Sequence, residues 1–331
     1  MTDIKNNLIR HDSESFDDYA LRLYANKNTY GLTCCGVANR LNDESGWNKD
    51  ESAYRKFYSA FSKGIDYQKN KSEHGITTRI LCVSDLHFPF QLPITTFEEY
   101  VDKVDVLVLN GDLLDFYNCS KFPKSFRVSP IEEMIGGRQY IIDLINLIHP
   151  KKVIAIDGNH EYRLATYLNK NLDCEINELI PDSALEYLFV DGFNHYDKRN
   201  GTKTWYSPIK DVCTDVEIIY ARNWFYQLGD TIFTHPKAFS SAMMKTAEKA
   251  MQWFRNEGYV FNKLVMAHTH RLGSYKIGNT TLYEQGCCCN TKKMNYSGGL
   301  LTNSQKEGFL YLCLNKDGNI NEDATKLVSL N

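Results

Sequence analysis

The chain has 331 residues, of which 43% are hydrophobic, so it can bury the core of one large domain or of a domain with a smaller module. Its formal net charge of −3 provides no overall attraction to nucleic acid, membranes or acidic substrates, so any such attraction must be local. The sequence contains neither a run of about eighteen apolar residues nor a secretory signal, which predicts a soluble, cytoplasmic protein with no membrane partner.

Residues 1–75 show no strand-like alternation and contain two helix-like stretches joined by the turn ESGWN, with the second helix closing at Gly64 before a polar linker. The two stretches are LTCCGVANRLND and KDESAYRKFYSAFSKG. The pair resembles a helix-turn-helix DNA-binding module, whose second helix would enter the major groove. Basic residues outnumber acidic ones between Arg55 and Lys71, whereas the first twenty residues are acidic. A helical hairpin used for packing or oligomerisation fits the pattern equally well, and the oligomeric state stays open.

From residue 76 to the end, short β-branched runs alternate with helix-like stretches, which indicates a layered α/β domain. The predicted strands, in chain order, are TRILCVSD, VDVLVLNGD, KKVIAIDGNH, DTIFTH and NKLVMAHTH, and the predicted helices are TTFEEYVDKV and IEEMIGGRQYIIDLINLIH. Each strand ends in a polar cluster. Ligands of α/β sheets bind beyond the carboxyl ends of the strands, so we expect these clusters to converge on one rim.

The segment at about 165–230 is predicted to be a cap-like insertion with its own core. It is rich in aromatic residues, as in KTWYSP and RNWFYQLGD, which could instead provide faces on which bases stack.

The polar strand ends form the pattern D-x-H, G-D-x-x-D, G-N-H-E, a single His and H-x-H. The positions are Asp85, His87, Asp112, Asp115, Asn159, His160, His235, His268 and His270. Carboxylate, imidazole and amide ligands together suit divalent ions such as Mn²⁺, Fe²⁺ or Zn²⁺. The set is too large for one tetrahedral zinc ion but suits two ions that share a carboxylate.

This order of blocks, over about residues 79–289, strongly resembles the calcineurin-like metallophosphoesterase superfamily. The resemblance implies two central β-sheets flanked by helices, and a hydrolase that uses two divalent metal ions to activate hydroxide. Manganese is the expected metal, with Fe, Zn or Ni as alternatives. Asp112 would bridge the ions. The other implied ligands are Asp85, His87 and His270 for one ion, and Asn159, His235 and His268 for the second.

The resemblance also implies roles beside the metals. His160 would protonate the leaving oxygen as general acid, and Asp115 would orient its imidazole unless it only caps a helix. Arg163 would contact a substrate phosphate or form a structural ion pair. Glu161 is expected to brace its loop. Ala267 stands where the family usually has glycine before the paired histidines.

The substrate prediction depends on two departures from the family pattern. Members that act on phosphoserine or phosphothreonine carry arginines where this chain has Phe116 and Asp157. Together with the amino-terminal module, this favours a phosphodiesterase or nuclease acting on DNA. A phosphomonoesterase for a protein or small molecule is the alternative. A DNA-binding or scaffold protein with a vestigial phosphoesterase domain is the third hypothesis.

Two further predictions depend on the alternation of side chains along a strand. His268 and His270 would face one side of a strand, with Thr269 turned away between them. In GCCCNTKK, residues 286–293, neighbouring thiols cannot all point one way, which favours packed thiols over a metal site.

The ten cysteines also lack the spacing of a disulfide-rich domain, so we expect them to be reduced.

Overall fold

The computed structural model describes residues 8–11, 14–73, 75–120, 127–170, 172–294 and 305–330. The chain divides into two compact units, residues 1–74 and residues 75–331. Within the described ranges, no helix combines the length and the apolar character that crossing a membrane requires.

The described part of the N-terminal unit forms three helices with clear local start and stop signals. They are α1 Phe16–Ala25, α2 Cys34–Ser45 and α3 Glu51–Glu73. The Ser15 hydroxyl accepts the N–H of Asp18, and the Thr33 hydroxyl accepts the N–H of Gly36, which satisfies backbone donors at the starts of α1 and α2. Gly46, with a left-handed φ of 71°, ends α2.

Apolar residues and tyrosines fill the core between these helices. Leu23 and Leu41 are fully buried, and Tyr54 and Tyr58 pack beside them. The predicted end of the second helix at Gly64 is wrong, because α3 continues to Glu73 through the segment interpreted as a linker. One glycine inside a helix lowers the helix stability by only about 1 kcal/mol relative to alanine, and the favourable helix propensity of the flanking residues offsets this loss. The side chains of Lys69 and Lys71 lie outside the described residues.

The larger unit is built on two β-sheets. Its strands are β1 Ile76–Val83, β2 Val106–Asn110, β3 Lys152–Ile156, β4 Phe193–Asp197, β5 Thr202–Tyr206, β6 Glu217–Tyr220, β7 Phe225–Leu228, β8 Thr231–Thr234, β9 Lys263–Met266, β10 Leu272–Ile277, β11 Thr280–Gln285, β12 Gly308–Asn315 and β13 Lys326–Ser329. One sheet has the order β13-β12-β1-β2-β3-β6, and the other has the order β10-β11-β9-β8-β7. β1, β2, β3 and β6 run parallel, as do β8 and β9, so their carboxyl ends share an edge within each sheet.

Helices cover the outer faces of the two sheets. The described helices of this unit are α4 Pro130–Ile148, α5 Arg163–Leu168, α6 Cys174–Asn177, α7 Ala184–Glu186, α8 Ile209–Val212 and α9 Lys245–Asn256. Alternate residues of β2 enter different cores: Leu107 packs with Ile141 of α4, while Val108 packs with Phe233 and Val265 of the second sheet. Phe254 of α9 covers the far face of that sheet. The layered fold with two central sheets flanked by helices is confirmed.

Two predicted segments differ in detail. TTFEEYVDKV forms a 3₁₀ helix, Ile94–Tyr100, rather than an α-helix. Its two adjacent threonines are β-branched, which lowers α-helix propensity and suits a short element. In the predicted insertion at about 165–230, β6 and β7 belong to the central sheets, and β4 pairs with β5 in a separate ribbon. Residues from Glu217 onward therefore contribute strands to the central sheets, and the cap-like insertion stays a prediction.

Candidate metal centre

The ends of five strands hold the predicted site residues. Asp85 follows β1, Asp112 follows β2 and Asn159 follows β3. His235 comes directly after β8, and His268 lies two residues beyond β9. These strands come from both sheets, so the convergence of polar strand ends that the sequence suggested is present in the fold.

Tight turns at these strand ends aim the side chains. Asp85, His87, Asp112, His268 and His270 have left-handed φ values of 51°, 47°, 52°, 81° and 53°. Such values are uncommon outside glycine, and they cluster at functional sites. The interpretation of the paired histidines as strand residues is therefore wrong, because β9 ends at Met266 before both of them.

Two glycines give the turns room beside the site. A Cβ at Gly111 would lie 2.5 Å from Nδ1 of His235, and a Cβ at Gly158 would overlap the carboxylate of Asp112. Only a residue without a side chain allows these backbones to approach the imidazole and the carboxylate so closely.

Asp85, His87 and His270 form the first cluster. Oδ1 of Asp85 lies 3.1 Å from Nε2 of His270 and 3.8 Å from Nε2 of His87. The two Nε2 atoms are themselves 3.1 Å apart. Burial disfavours the charged form of Asp85, but the charge and hydrogen bond of His270 outweigh it and lower the pKa of Asp85 to about 2. The cluster therefore presents a carboxylate oxygen and two imidazole nitrogens to one point.

Asp112, His235 and His268 form the second cluster. Nδ1 of His235 lies 2.8 Å from the carbonyl oxygen of Asn110, which fixes the proton there and turns Nε2 towards Oδ2 of Asp112, 3.2 Å away. Burial disfavours a charge on His235, yet Asp112 raises the pKa of His235 to about 9. Burial, with the charge of His235, lowers the pKa of His268 to about 4, so its imidazole is neutral and free to bind a cation.

One oxygen of Asp112 lies between the two clusters. Besides its contact with His235, Oδ2 is 3.8 Å from Nε2 of His87 and 3.7 Å from Nε2 of His160. Oδ1 of Asp112 accepts the backbone N–H of His160 at 2.8 Å, which fixes the carboxylate in place.

Asp115 holds two imidazoles in place rather than the one that was predicted. Its Oδ1 lies 3.0 Å from Nδ1 of His160 and 3.1 Å from Nδ1 of His87. Despite burial, these hydrogen bonds keep the pKa of Asp115 well below its ordinary value. Since a carboxylate at Nδ1 turns Nε2 towards a metal, Asp115 orients His87 as well as His160.

Arg163 lies at the edge of the cluster. Its Nη2 donates to Nε2 of His160 at 2.6 Å, and its Nη1 donates to the carbonyl oxygen of Asp115 at 2.8 Å. With Asn159 and Lys170, Arg163 lines a cavity of about 330 Å³. The positively charged guanidinium of Arg163 therefore lies where an anionic substrate would approach.

The donor set fits divalent ions. Each of the two clusters brings a carboxylate oxygen and two imidazole nitrogens into ligand range of one another. Among the described residues, Oδ1 of Asn159 is buried and has no hydrogen-bond partner, as expected for a ligand oxygen. Buried carboxylates and imidazoles at this density are costly unless a cation compensates them.

Two acidic residues support the site from behind. Glu161 accepts the backbone N–H of Asp112 at 3.0 Å, of Leu113 at 2.7 Å and of Gly158 at 2.7 Å, so it braces two ligand loops as expected. Asp157 occupies a position where the protein phosphatases of the family carry arginine. It is buried and accepts hydrogen bonds from the hydroxyl groups of two tyrosines and a serine.

The cysteine segment does not form a strand. Cys287 to Cys289 follow the end of β11, and the thiol of Cys288 donates to the carbonyl oxygen of Gly308 in the main core. Cys287 and Cys289 lie instead within ligand range of His270.

Comparison with known proteins gives matches to both units. A model of the calcineurin-like phosphoesterase family matches residues 78–278, and a model of the YonJ N-terminal domain matches residues 4–73. The SPbeta prophage-derived uncharacterized protein YonJ of Bacillus subtilis is 36% identical over 64 residues, which are 19% of this chain and 16% of that protein.

Among solved structures, vacuolar protein sorting 29 from Cryptosporidium parvum is 16% identical with a TM-score of 0.38, covering 77% of this chain and 98% of that one. A structure described as a novel archaeal phosphodiesterase is 15% identical with a TM-score of 0.35, covering 76% and 99%.

Proposed function

The chain belongs to the calcineurin-like phosphoesterase family, and on that premise we propose that it is a dinuclear phosphodiesterase that hydrolyses DNA. The family makes the protein a metal-dependent hydrolase of phosphate esters. The number of ions, the diester preference and the DNA substrate are the proposal.

The position of Asp112 carries the two-metal proposal. One of its oxygens faces imidazoles of both clusters, at 3.2 Å from His235 and 3.8 Å from His87. The proposed ligands are Asp85, His87 and His270 for one ion, Asn159, His235 and His268 for the other, and Asp112 for both. Two divalent ions in this set, Mn²⁺ by preference and Fe, Zn or Ni as alternatives, would activate water and offset the phosphate charge.

His160 is the proposed general acid. Asp115 faces its Nδ1, so Nε2 is the atom that would give a proton to the leaving oxygen, which requires a ring protonated on both nitrogens. Nε2 accepts from Arg163 in this structure, and donation from that atom requires the guanidinium to move away. The phosphate group of a substrate offers Arg163 the better partner, so substrate binding would free the acid.

An aromatic cavity beside His235 supports a nucleic-acid substrate. Trp224, Trp253, Lys237 and Lys249 line about 480 Å³, and the carbonyl oxygen of Trp224 accepts the N–H of His235 at 2.8 Å. Aromatic faces with lysines nearby suit a base and its phosphate backbone.

The N-terminal unit is proposed to bind DNA. Its α2 and α3 are separated by a short turn, as in a helix-turn-helix pair, and α3 exposes Phe57 and Lys56. Recruitment to DNA by this unit would explain how a nuclease that has no overall positive charge binds its substrate.

The decisive experiment compares turnover of bis-p-nitrophenyl phosphate, p-nitrophenyl phosphate, single-stranded DNA and duplex DNA, each with Mn²⁺, Zn²⁺, Ni²⁺ or Mg²⁺. We expect the diester and DNA to be hydrolysed, with Mn²⁺ giving the highest rates and EDTA abolishing them. Faster turnover of the monoester than of the diester would favour the phosphomonoesterase alternative. DNA binding without turnover of any ester would favour the scaffold alternative.

A further inference from the structure

Beside His270 of the first ligand cluster lie two thiols that the proposed phosphoesterase chemistry does not use. We propose that Cys287, Cys289 and His270 form an additional metal site for a thiophilic ion, Zn²⁺ or Cu⁺. The site shares His270 with the proposed dinuclear centre but requires neither its two ions nor its activity.

The three side chains have the geometry of a ligand set. One donor atom from each lies within 4.8 Å of the other two. Both thiols are free, Cys287 and Cys289 are fully buried, and His270 is 7% exposed. A fully buried site of this kind excludes water, which otherwise competes for the ion.

The imidazole of His270 has two usable edges. Nε2 faces Oδ1 of Asp85 at 3.1 Å, and Nδ1, on the other side of Cε1, points in a different direction. Among the described residues, no nitrogen or oxygen pairs with this buried Nδ1, and the ring lies within ligand range of both thiols. An imidazole can ligate through either nitrogen, so His270 can serve both clusters.

The backbone holds the two thiols on one side. Cys288 N–H donates to the carbonyl oxygen of Ser84 at 3.0 Å, and the carbonyl oxygen of Cys288 accepts from Leu92 at 2.9 Å. Cys288 points into the main core, and because successive side chains of an extended segment alternate, its neighbours Cys287 and Cys289 share the other side. The pair is therefore positioned before any ion binds.

The chemistry of the donors selects the ion. Two thiolates and an imidazole suit Zn²⁺ or Cu⁺ and discriminate against Mg²⁺ and Mn²⁺, which prefer oxygen. The charges of two thiolates would offset a divalent cation in this buried place. Met294 packs in the same small cluster as Cys287 and Cys289, so the surroundings are also soft.

Cobalt is the probe that separates this site from the oxygen-rich one. Full-length protein, stripped of metal and kept reduced and anaerobic, is titrated with Co²⁺ while the near-ultraviolet absorbance is recorded. Thiolate ligation gives an intense sulfur-to-cobalt charge-transfer band, which carboxylate and imidazole ligands do not produce. We expect the band in the wild type, its loss in Cys287→Ser/Cys289→Ser, and its retention in the matched controls Cys288→Ser and Cys313→Ser.

Competition then identifies the ion. Addition of about one equivalent of Zn²⁺ or Cu⁺ should remove the band, and whichever ion does so at the lower concentration is the preferred occupant. The double variant should bind about one ion fewer per chain than the wild type.

Absence of the band in the folded wild type would overturn the proposal without needing any variant. Phosphodiesterase activity without the band would refute only this site, whereas the band without activity would refute only the proposed function.

Discussion

The N-terminal helical unit and the metal centre bury opposite kinds of side chain. Between α1, α2 and α3 the described side chains that are buried are apolar or tyrosine, such as Leu23 and Tyr58. At the metal centre Asp85, Asp112 and Asp115 are at most 1% exposed. Burying apolar surface is favourable by itself, whereas buried carboxylates need compensating partners. The first arrangement stabilises a fold by itself, whereas the second would need a bound cation to compensate its buried charges.

The largest effect is expected when the shared carboxylate loses its charge. Asp112→Asn should lower kcat/KM for bis-p-nitrophenyl phosphate by more than about 10⁴-fold, beyond the range of a lost general acid, because both proposed metal sites lose a ligand. Kinetics with Mn²⁺ and metal analysis of the purified variant provide the measurement. Asp317→Asn, at an exposed position, is the control. A variant that keeps wild-type metal content and rate would show that Asp112 bridges nothing.

The next effect concerns the proton donor. His160→Gln should retain metal and lose about 10²–10⁴-fold in kcat for poor leaving groups, with a much smaller loss for p-nitrophenol esters. A series of diesters with leaving groups of increasing pKa measures the dependence. If good and poor leaving groups lose the same factor, His160 does not act as the acid.

The helical unit should contribute to DNA binding without contributing to the chemistry. The unit has its own core, so residues 1–74 can be removed without opening the core of the larger unit. Their removal should weaken the affinity for DNA by about tenfold, because several phosphate contacts are lost. Turnover of the small diester should stay within about twofold of the wild type. Fluorescence anisotropy with labelled DNA and parallel ester kinetics test both halves of the prediction. Unchanged DNA affinity would limit the unit to packing or oligomerisation.

The smallest effect concerns a buried acid near the centre. Burial, with the negative charge of Asp115, raises the pKa of Glu133 to about 8. The folded state therefore favours protonated Glu133, and this stabilisation is complete below about pH 4.5 and is lost as the pH rises towards 8.

Glu133→Gln cannot ionise, so its free energy of unfolding relative to the wild type should increase between pH 5 and pH 8. Denaturant unfolding at several pH values measures this difference, with Glu98→Gln at an exposed position as control. Parallel pH profiles for wild type and Glu133→Gln would contradict the raised pKa.

Much of the fold and of the candidate site could be predicted because the signals are local. Runs such as VLVLN mark buried strands, and Thr33 marks the start of α2, whereas α1, which follows Ser15, was not predicted. Each polar block follows its strand directly, so the ligand types could be proposed before any contact was known. Local signals failed at Gly64, where the helix continues, and at the paired histidines, where left-handed turns replace the strand.

The sequence by itself determined which side chains follow each strand and to which family the chain belongs. Only the tertiary structure decided how they meet, because the contacts join residues far apart in the chain. His87 and His270 are separated by 183 positions yet lie 3.1 Å apart at Nε2. The same long-range packing placed Asp115 beside two imidazoles and brought Cys287 and Cys289 into ligand range of His270. No pattern of spacing contains those distances, since they depend on how the two sheets pack and on the turns at their edges.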